Sequence, residues 1–389
     1  MRILKVMPFF SPATRFGGVV SQAVLLCTEL ARRGHELSVI TTDNGVSPDW
    51  PRDRWLEREG YRVYYAHTRF WHRCPPYYTP TIRPALRERL PDTDILCANV
   101  GLTLMNRLAA TLAGRYGVPF VYNAEGALCS YRLGIKKYRK KLFLELVERT
   151  LLRRAAAIQA VTEKERVNAI TFGAPPERVH VVPNGIAPPA PITRENHFRS
   201  RLGIPPDAPV VLFLGRMHRI KGLPLLVDSF SGTGDEKAHL VIAGPDEDGS
   251  GRHALARGRA AGLGDRMHLI GLLENEDRAR LLSEVDLFAL TSHSEGLPNA
   301  ILEALSYGIP CLLSENCNVP EVEEEGAGFV RPLDPGLLAS ALRRQLDEPA
   351  LRTRQAAAAR RLARSRFSLQ KIVSRLEEIY GQVARDCRQ

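Results

Sequence analysis

The chain has 389 residues, a length at which a single hydrophobic core usually divides, so we expect two domains. Hydrophobic residues make up 44% of the chain and charged residues 25%, which is typical of a globular protein in water. Apolar runs of about 18 residues are missing, so the sequence predicts no membrane-spanning helix. We interpret the first segment, MRILKVMPFF, as a buried strand rather than a signal sequence, because no small-residue cleavage site follows it.

The formal net charge is +11, from 54 Lys and Arg against 43 Asp and Glu. Such an excess suits an anionic membrane surface, a nucleic acid or a phosphorylated substrate. Signatures of helix-turn-helix, zinc-finger and RNA-binding domains are missing, so we expect no nucleic-acid partner. The cysteines are odd in number and form no CxxC pair, which argues against disulfides and a zinc site and indicates a reducing, cytoplasmic compartment. They are Cys27, Cys74, Cys97, Cys129, Cys311, Cys317 and Cys387.

Short apolar runs alternate with longer helical patterns along the whole chain, which predicts parallel sheets covered on both faces. The strands predicted in the first half are residues 3–7, 37–41, 63–66, 95–98, 120–122, 158–161 and 179–182. Those predicted in the second half are residues 210–214, 240–243, 267–270, 287–290, 311–313 and 329–330.

The Pro-rich stretch VVPNGIAPPAP separates these halves near residue 187. We therefore expect an α/β fold of two Rossmann-like, doubly wound domains, residues 1–187 and 188–369, that face each other across a cleft. A last helix, from residue 368 to about 383, follows the second half, and its pattern alone does not decide which half it packs against. Sheets of this kind bind ligands beyond the carboxyl ends of their strands, so the chemistry should lie in loops that follow strands.

The loop 292–298 follows one predicted strand and leads into a helix, with Pro298 suited to the first helical position. The next residues, Asn299, Ala300 and Ile301, would then present backbone N–H groups at the positive end of the helix, a site suited to a diphosphate. Glu303 lies one turn further on among apolar residues, where a carboxylate needs a partner and could accept hydrogen bonds from ribose hydroxyls. Glu295 precedes the helix and could bind hydroxyls of a transferred sugar.

Two simpler interpretations of these carboxylates stay open: Glu295 as a helix cap and Glu303 as a solvated surface residue. A glycosidase pair fits less well. Retaining hydrolases hold their two carboxyl groups about 5 Å apart and inverting ones less than about 10 Å apart. Eight helical residues rise roughly 12 Å, which exceeds both separations.

Arg216 and Lys221 follow the strand 210–214 in the string GRMHRIK and could converge on a diphosphate leaving group. Two cations would neutralise that charge without a metal ion, although two solvated surface cations are the alternative. The nearby acidic string 246–248 does not resemble a metal–diphosphate clamp, and we interpret it as a solvated turn. The sequence thus predicts no metal site and no cofactor.

Two further loops belong to the first half. Gly17 and Gly18 open the predicted helix 19–33 and would allow close backbone approach by a ligand, although a simple turn is equally consistent with them. No GxGxxG fingerprint occurs there or at Gly215, which disfavours NAD or FAD. Glu125 follows the strand 120–122 and could face the cleft; the alternative is a carboxylate that complements a helix start.

Taken together, the strings SPATRFGGV, VVPNGI, LFLGRMHRIKG, LVIAGPDEDG, LFALTSHSEGLPNAILEALSYGIP and CNVPEV resemble the family 4 retaining glycosyltransferases with the GT-B fold. The resemblance implies a nucleotide-sugar donor bound mainly by the C-terminal domain, an acceptor on the N-terminal domain, and a last helix that crosses back onto the N-terminal domain. It also implies same-face attack by the acceptor hydroxyl, in which the leaving phosphate helps to take the proton, with retained anomeric configuration and no bound metal.

The resemblance also assigns roles to single residues. Arg216 and Lys221 would hold the diphosphate, Glu303 the ribose and Glu295 the sugar hydroxyls. It also implies that the backbone of Asn299, Ala300 and Ile301 meets the phosphates, and that the base lies by Ile270 and Leu272. The remaining donor-binding residues are Gly296, Leu297 and Pro298 in the loop before the helix, and Gly17 and Gly18 from the N-terminal domain. Many relatives carry His in strings like SPHGML where this chain has NAEGAL with Glu125, so the role of that His does not transfer directly.

The segment 135–154, IKKYRKKLFLELVERTLLRR, predicts a basic helix. Its residues Leu142, Leu146 and Leu151 would face the core, while Lys136, Lys137, Arg139, Lys140 and Lys141 would face outward. It is either a solvated helix or a contact with an anionic membrane surface that brings the enzyme to a lipid-linked acceptor.

These patterns predict a cytoplasmic, peripherally membrane-bound, metal-independent retaining hexosyltransferase. It would move sugar from a nucleotide donor, UDP-sugar rather than GDP-mannose, to a glycan or lipid-linked acceptor in surface polysaccharide synthesis. Glu295, Arg216, Lys221 and Glu125 are the candidate catalytic residues. The alternatives are a nucleotide-sugar epimerase of GT-B shape and a non-catalytic protein that binds nucleotide sugar or glycan.

Overall fold

The computed structural model describes residues 1–13, 16–69, 77, 79–128, 143–192 and 196–387. The chain divides into two compact units: Met1–Gly185 with Leu369–Gln389, and Ile186–Ser368. The division falls two residues before the expected boundary at 187. Within the described ranges, no helix has the length and apolar character needed to cross a membrane.

The first unit is built on an eight-stranded sheet in the order β3-β4-β2-β1-β5-β6-β7-β8. Its neighbouring strands are parallel except for β3 against β4. The strands are β1 Arg2–Val6, β2 Glu36–Thr42, β3 Trp55–Arg58, β4 Tyr61–Ala66, β5 Ile95–Asn99, β6 Phe120–Asn123, β7 Ala157–Ala160 and β8 Val179–Val181. The predicted strands lie within two residues of these bounds, but the sequence analysis missed β3. This strand is short, lies at the sheet edge and buries little, so its apolar signal is weak.

The described helices of the first unit cover both faces of this sheet. The α-helices are α1 Gly18–Arg32, α2 Arg83–Arg89, α3 Leu104–Arg115, α4 Arg149–Arg154 and α5 Glu163–Thr171, and a π-helical turn, Leu144–Glu148, precedes α4. Short 3₁₀ helices occur at Pro80–Ile82, Leu90–Asp92 and Pro176–Arg178.

The last helix of the chain, Leu369–Asp386, belongs to the first unit. Its apolar face packs into the core formed by α1 and the sheet, through residues such as Ile372, Leu376 and Tyr380. Polar contacts also join this helix to the segment after α1: the Glu377 carboxylate lies 2.7 Å from Arg33 Nη1 and 2.8 Å from His35 Nε2. This helix therefore completes the core of the unit that begins the chain.

The second unit is built on a six-stranded parallel sheet in the order β11-β10-β9-β12-β13-β14. The strands are β9 Val210–Leu214, β10 His239–Ala243, β11 Met267–Gly271, β12 Leu287–Leu290, β13 Cys311–Ser314 and β14 Gly328–Arg331. The strand order reverses between β9 and β12. This reversal creates the crevice in which open α/β sheets bind ligands, so the loops after β9 and β12 are the first place to look for a site.

Helices on both faces cover the second sheet. In chain order after α5 they are α6 His197–Leu202, α7 Leu223–Ser231, α8 Ser250–Ala260, α9 Asn275–Glu284, α10 Asn299–Tyr307, α11 Glu321–Glu324, α12 Pro335–Asp347 and α13 Pro349–Arg366. Leu369–Asp386 is α14. Short 3₁₀ helices occur at Arg219–Lys221, Gly264–Arg266 and Glu315–Cys317.

Candidate functional site

The loops after β9 and β12 are joined to each other by backbone contacts in the second unit. His293 N donates to Ile220 O over 2.8 Å, and Thr291 Oγ1 donates to Gly222 O over 2.9 Å. Gly222 has a φ of 67°, and a Cβ at this position would overlap the Thr291 carbonyl oxygen. Only glycine fits this close approach without rearrangement. The two loops that the sequence singled out therefore form one structure at the switch point.

Lys221 and Glu295 meet at this junction. Lys221 Nζ lies 2.6 Å from Glu295 Oε1, which also accepts a hydrogen bond of 2.5 Å from Ser292 Oγ. The side chains of Lys221 and Glu295 are only 14% and 12% exposed. A charged group that is so largely buried needs a partner of opposite charge, and Lys221 and Glu295 are partners for each other. The sequence singled out both residues but not their contact.

The backbone on either side of Glu295 is also fixed. Glu295 N donates to Asn316 O over 3.1 Å, and Asn318 Nδ2 donates to Glu295 O over 2.6 Å. Asn318 adopts the left-handed conformation with a φ of 58°, which asparagine tolerates better than most residues. The sequence pattern did not identify Asn318 as a support for the Glu295–Gly296 peptide. An Asn followed shortly by Pro after a strand was the available signal.

Helix α10 begins one residue later than predicted, because Pro298 is its N-cap and not its first helical residue. The prediction of three available N–H groups is wrong for Ile301, whose N–H donates to Pro298 O over 3.1 Å. Leu297 and Pro298 are buried, whereas Asn299 and Ala300 are partly exposed at the positive end of the helix. The helix terminus thus keeps the polarity that favours an anion.

Glu303 pairs with Arg278 of helix α9. Arg278 Nη2 donates to Glu303 Oε1 over 2.7 Å, and Arg278 Nε lies 2.6 Å from Glu303 Oε2. Burial raises the pKa of Glu303, and the Arg278 charge opposes that rise. The prediction that this carboxylate needs a partner is confirmed, and the interpretation as a solvated surface residue is wrong. The sequence did not identify Arg278 because it lies on a different helix.

Arg216 points to the acidic string that the sequence analysis interpreted as a solvated turn. Arg216 Nη1 lies 2.9 Å from Glu247 Oε2, and the Arg216 side chain is 42% exposed. Asp246 Oδ1 accepts from Gly251 N over 3.1 Å, and Asp248 Oδ2 accepts from Arg219 N over 3.1 Å. All three residues of the string are exposed, as expected of a solvated turn, and the string also organises the Arg216 loop and the start of helix α8.

The residues predicted to lie beside the base are at the end of the neighbouring strand. Ile270 is partly buried in β11, and Leu272 follows Gly271 with 73% of its surface exposed. Gly271 has a φ of 66°, and its carbonyl oxygen accepts from Gly244 N over 2.6 Å. Leu272 is thus an exposed apolar side chain at the carboxyl edge of the same sheet.

In the first unit, Gly17 is the N-cap of α1 with a φ of 65°, and Gly18 is the first residue of that helix. Glu125 lies in a turn after β6 and has a φ of 51°, so it is not itself a helical residue. Asn99 Nδ2 donates to Glu125 Oε1 over 2.9 Å. Burial raises the pKa of Glu125 to about 7, and Lys5 and Asn99 oppose that rise.

The predicted basic helix lies only partly within the described residues. Lys136, Lys137, Arg139, Lys140, Lys141 and Leu142 lie outside them. Leu151 is buried, as expected, but Leu146 is 59% exposed, so the prediction that it faces the core is wrong. A π-helical turn covers Leu144–Glu148, and the wider turn shifts the faces that α-helical spacing predicts.

Comparison with known families assigns both units. Residues 17–185 match the family model described as glycosyl transferase 4-like domain, and residues 194–362 match the model described as glycosyl transferases group 1. Together the two matches span most of both units.

Similar proteins agree with these matches. A D-inositol 3-phosphate glycosyltransferase of Kineococcus radiotolerans is 27% identical over 97% of this chain and 94% of its own length. A protein of the same name from Xylanimonas cellulosilytica is 29% identical over 59% of this chain, and the match spans 57% of that protein. The crystal structure of Anabaena HepE in complex with UDP aligns with a TM-score of 0.80 at 19% identity, over 98% of this chain and all of that one. The chain therefore belongs to the group 1 glycosyltransferases of family 4.

Proposed function

We propose that this chain transfers a hexose-type sugar from a nucleotide-sugar donor, UDP-sugar rather than GDP-mannose, with retention of anomeric configuration and without a metal ion. The observation that carries the proposal is the Lys221–Glu295 pair at the switch point of the second sheet. A UDP donor is supported by the similarity to HepE, whose structure contains UDP. The acceptor that we propose is a glycan or a lipid-linked molecule in surface polysaccharide synthesis.

In this proposal, the diphosphate replaces Glu295 as the partner of Lys221. The Nζ group has three donors, so it can turn from the carboxylate to phosphate oxygens with little movement. Glu295 is then free to accept hydrogen bonds from hydroxyls of the donor sugar, while Ser292 continues to hold it. One rearrangement thus couples the arrival of the diphosphate to the placement of the sugar.

Arg216 and the start of helix α10 add the remaining positive potential. Arg216 is half-exposed beside Glu247, so its guanidinium can exchange that partner for phosphate at small cost. Asn299 and Ala300, both partly exposed, lie at the positive helix end. These groups would stabilise the charge that develops on the leaving diphosphate, which is the largest electrostatic demand of the reaction.

Glu303 would bind the ribose hydroxyls through the oxygen lone pairs that Arg278 leaves unused. A carboxylate offers about four acceptor positions, and the hydrogen bond from Arg278 Nη2 occupies one of them. Because Arg278 donates to Oε1 and lies 2.6 Å from Oε2, the carboxylate is already oriented before the nucleotide arrives.

The proposal is tested by screening UDP- and GDP-sugars for thermal stabilisation and by assigning the anomeric configuration of the product by NMR. A donor present at 100 times its Kd should add about 2.7 kcal/mol to the free energy of unfolding. Stabilisation by a UDP-sugar and a product with the donor's configuration would support the proposal. Conversion of the donor sugar without an acceptor would instead indicate an epimerase, and binding without any reaction a non-catalytic protein.

The segment 135–154 would bring the enzyme to an anionic membrane surface. The clustered cations in its sequence carry this part of the proposal. Cosedimentation with anionic vesicles at low and moderate salt tests it, and failure to bind at low salt would contradict it.

A further inference from the structure

We propose that Glu125 and Asn99 form the site on the first unit that binds the acceptor hydroxyl. The inference rests on the proposed transferase function, and it assigns the acceptor side of that function to named residues. It concerns the carboxyl edge of β5 and β6, where the strand order of the first sheet reverses next to β1.

The first observation is the geometry of the pair. Asn99 is the last residue of β5 and lies opposite Asn123 of β6. Asn99 Nδ2 donates to Glu125 Oε1 over 2.9 Å, and Glu125 N donates to Asn123 Oδ1 over 3.0 Å. Both ends of the Glu125 residue are thus fixed by side chains from the ends of two adjacent strands.

The second observation is an unpaired atom. Asn99 is only 4% exposed, and its Oδ1 has no hydrogen-bond partner among the described residues. A buried amide oxygen without a donor is costly, so such an atom indicates that a donor arrives from elsewhere. The hydroxyl of an acceptor can donate a hydrogen bond to Asn99 Oδ1 without disturbing the hydrogen bonds between the strands.

The third observation is that the surrounding backbone is held in strained conformations. Val100 and Leu102 have φ values of 66° and 62°, next to Glu125 at 51°. For a β-branched residue such as Val100 this conformation is rare and persists only where contacts enforce it. Gly101 N, next to Val100, donates to Ala124 O over 3.0 Å, and Gly126 N, next to Glu125, donates to Glu165 Oε1 over 2.6 Å.

Three groups act on the charge of Glu125. Burial favours the neutral acid, the buried Lys5 of β1 and the Asn99 amide favour the carboxylate, and Glu165 of α5 repels it. The resulting pKa of about 7 means that the group changes charge near neutral pH. An ionised carboxylate accepts a hydrogen bond from a hydroxyl more strongly than the neutral acid does. Acceptor binding should therefore improve as pH rises through about 7.

The test is steady-state kinetics of Glu125→Gln with the acceptor and the donor varied in turn. We expect kcat/KM for the acceptor to fall about 10- to 100-fold, the loss of one charge-assisted hydrogen bond, and to lose its rise near pH 7. The Kd for UDP should stay within two-fold of the wild type. Glu163→Gln is the matched control, because Glu163 is exposed on α5 and its loss should change neither constant.

Lys5→Met tests the effect of the Lys5 charge on Glu125. Removing the cation should move the midpoint of the acceptor profile to higher pH, whereas a merely structural Lys5 would lower the amount of folded enzyme without moving that midpoint. Thermal unfolding should show Glu125→Gln to be at least as stable as the wild type, because the folded protein already favours the neutral side chain.

The proposal is overturned if Glu125→Gln weakens binding of the donor and leaves kcat/KM for the acceptor unchanged. It is also overturned if kcat/KM for the acceptor still rises near pH 7 after the substitution. These outcomes differ from failure of the proposed function, in which the wild-type enzyme itself transfers no sugar from any nucleotide donor to any acceptor.

Discussion

Replacing Lys221 by Ala should weaken UDP binding much more than it weakens the fold. The substitution removes a cation that lies 2.6 Å from the Glu295 carboxylate. A hydrogen bond to a charged group contributes about 1.5–3 kcal/mol, equivalent to roughly 10- to 150-fold in Kd. Because the diphosphate must first displace Glu295, we expect the lower part of that range, about 10- to 30-fold.

The fold should lose about 2 kcal/mol in the free energy of unfolding, because Glu295 keeps its hydrogen bond from Ser292 and a little exposure to water. Isothermal titration with UDP measures the binding, and urea unfolding measures the stability. Glu295→Ala is the informative companion: it removes the competitor for Lys221, so UDP should bind at least as tightly while sugar transfer is lost.

Lys237→Ala is the matched control, because Lys237 is exposed in the turn before β10, away from the carboxyl edge of the sheet. A UDP Kd for Lys221→Ala within two-fold of the wild type, or an equal loss in the control, would refute the assignment of Lys221 to the diphosphate.

Three further outcomes follow from the geometry. Gly222→Ala should lower the melting temperature and abolish UDP binding, because its Cβ would overlap the Thr291 carbonyl. Gly234→Ala is the control: Gly234 has a φ of 68°, and the atom nearest to its Cβ would be 3.9 Å away, so its melting temperature should fall only slightly. Equal melting temperatures of the two variants would contradict this. Glu303→Ala should weaken UMP and UDP by the same factor in titrations, since it would remove only the ribose contacts, and a loss confined to UDP would exclude that role. Burial raises the pKa of Glu148 from 4.5 to about 7, so its stabilising effect is complete below about pH 4.5 and is lost as pH rises through about 7. Glu148→Gln should therefore remove a pH-dependent loss of about 3 kcal/mol, seen as a smaller fall in melting temperature between pH 4 and 8; parallel curves would argue against it.

The strands and the loops that follow them could be predicted from the sequence because each strand is a continuous apolar run. Strands that are buried on both faces need no alternation of apolar and polar residues, and the helical patterns between them indicate crossover connections between parallel strands. The edge strand β3 was missed since a half-exposed strand of four residues carries almost no such signal.

The partners of the site residues could not be predicted in the same way. Lys221 and Glu295 are 74 residues apart in sequence and meet only because β9 and β12 are neighbours in the sheet. Arg278 reaches Glu303 from a separate helix for a similar reason. Loop composition predicts which residues lie at the carboxyl edge, but strand order determines which of them touch.

The backbone details depend on still finer geometry. Pro298 is typical of a first helical residue but is the N-cap here, so the sequence misplaced the helix start by one residue and with it the available N–H groups. The π-helical turn at Leu144–Glu148 rotated Leu146 outward, which no spacing rule for α-helices anticipates.

A crystal structure of the protein with UDP tests the central claim most directly. We expect the diphosphate within hydrogen-bond distance of Lys221 Nζ and the start of helix α10, the ribose at Glu303, and Glu295 released from Lys221. A nucleotide bound away from the loops after β9 and β12, or bound there while the Lys221–Glu295 pair stays intact, would contradict it.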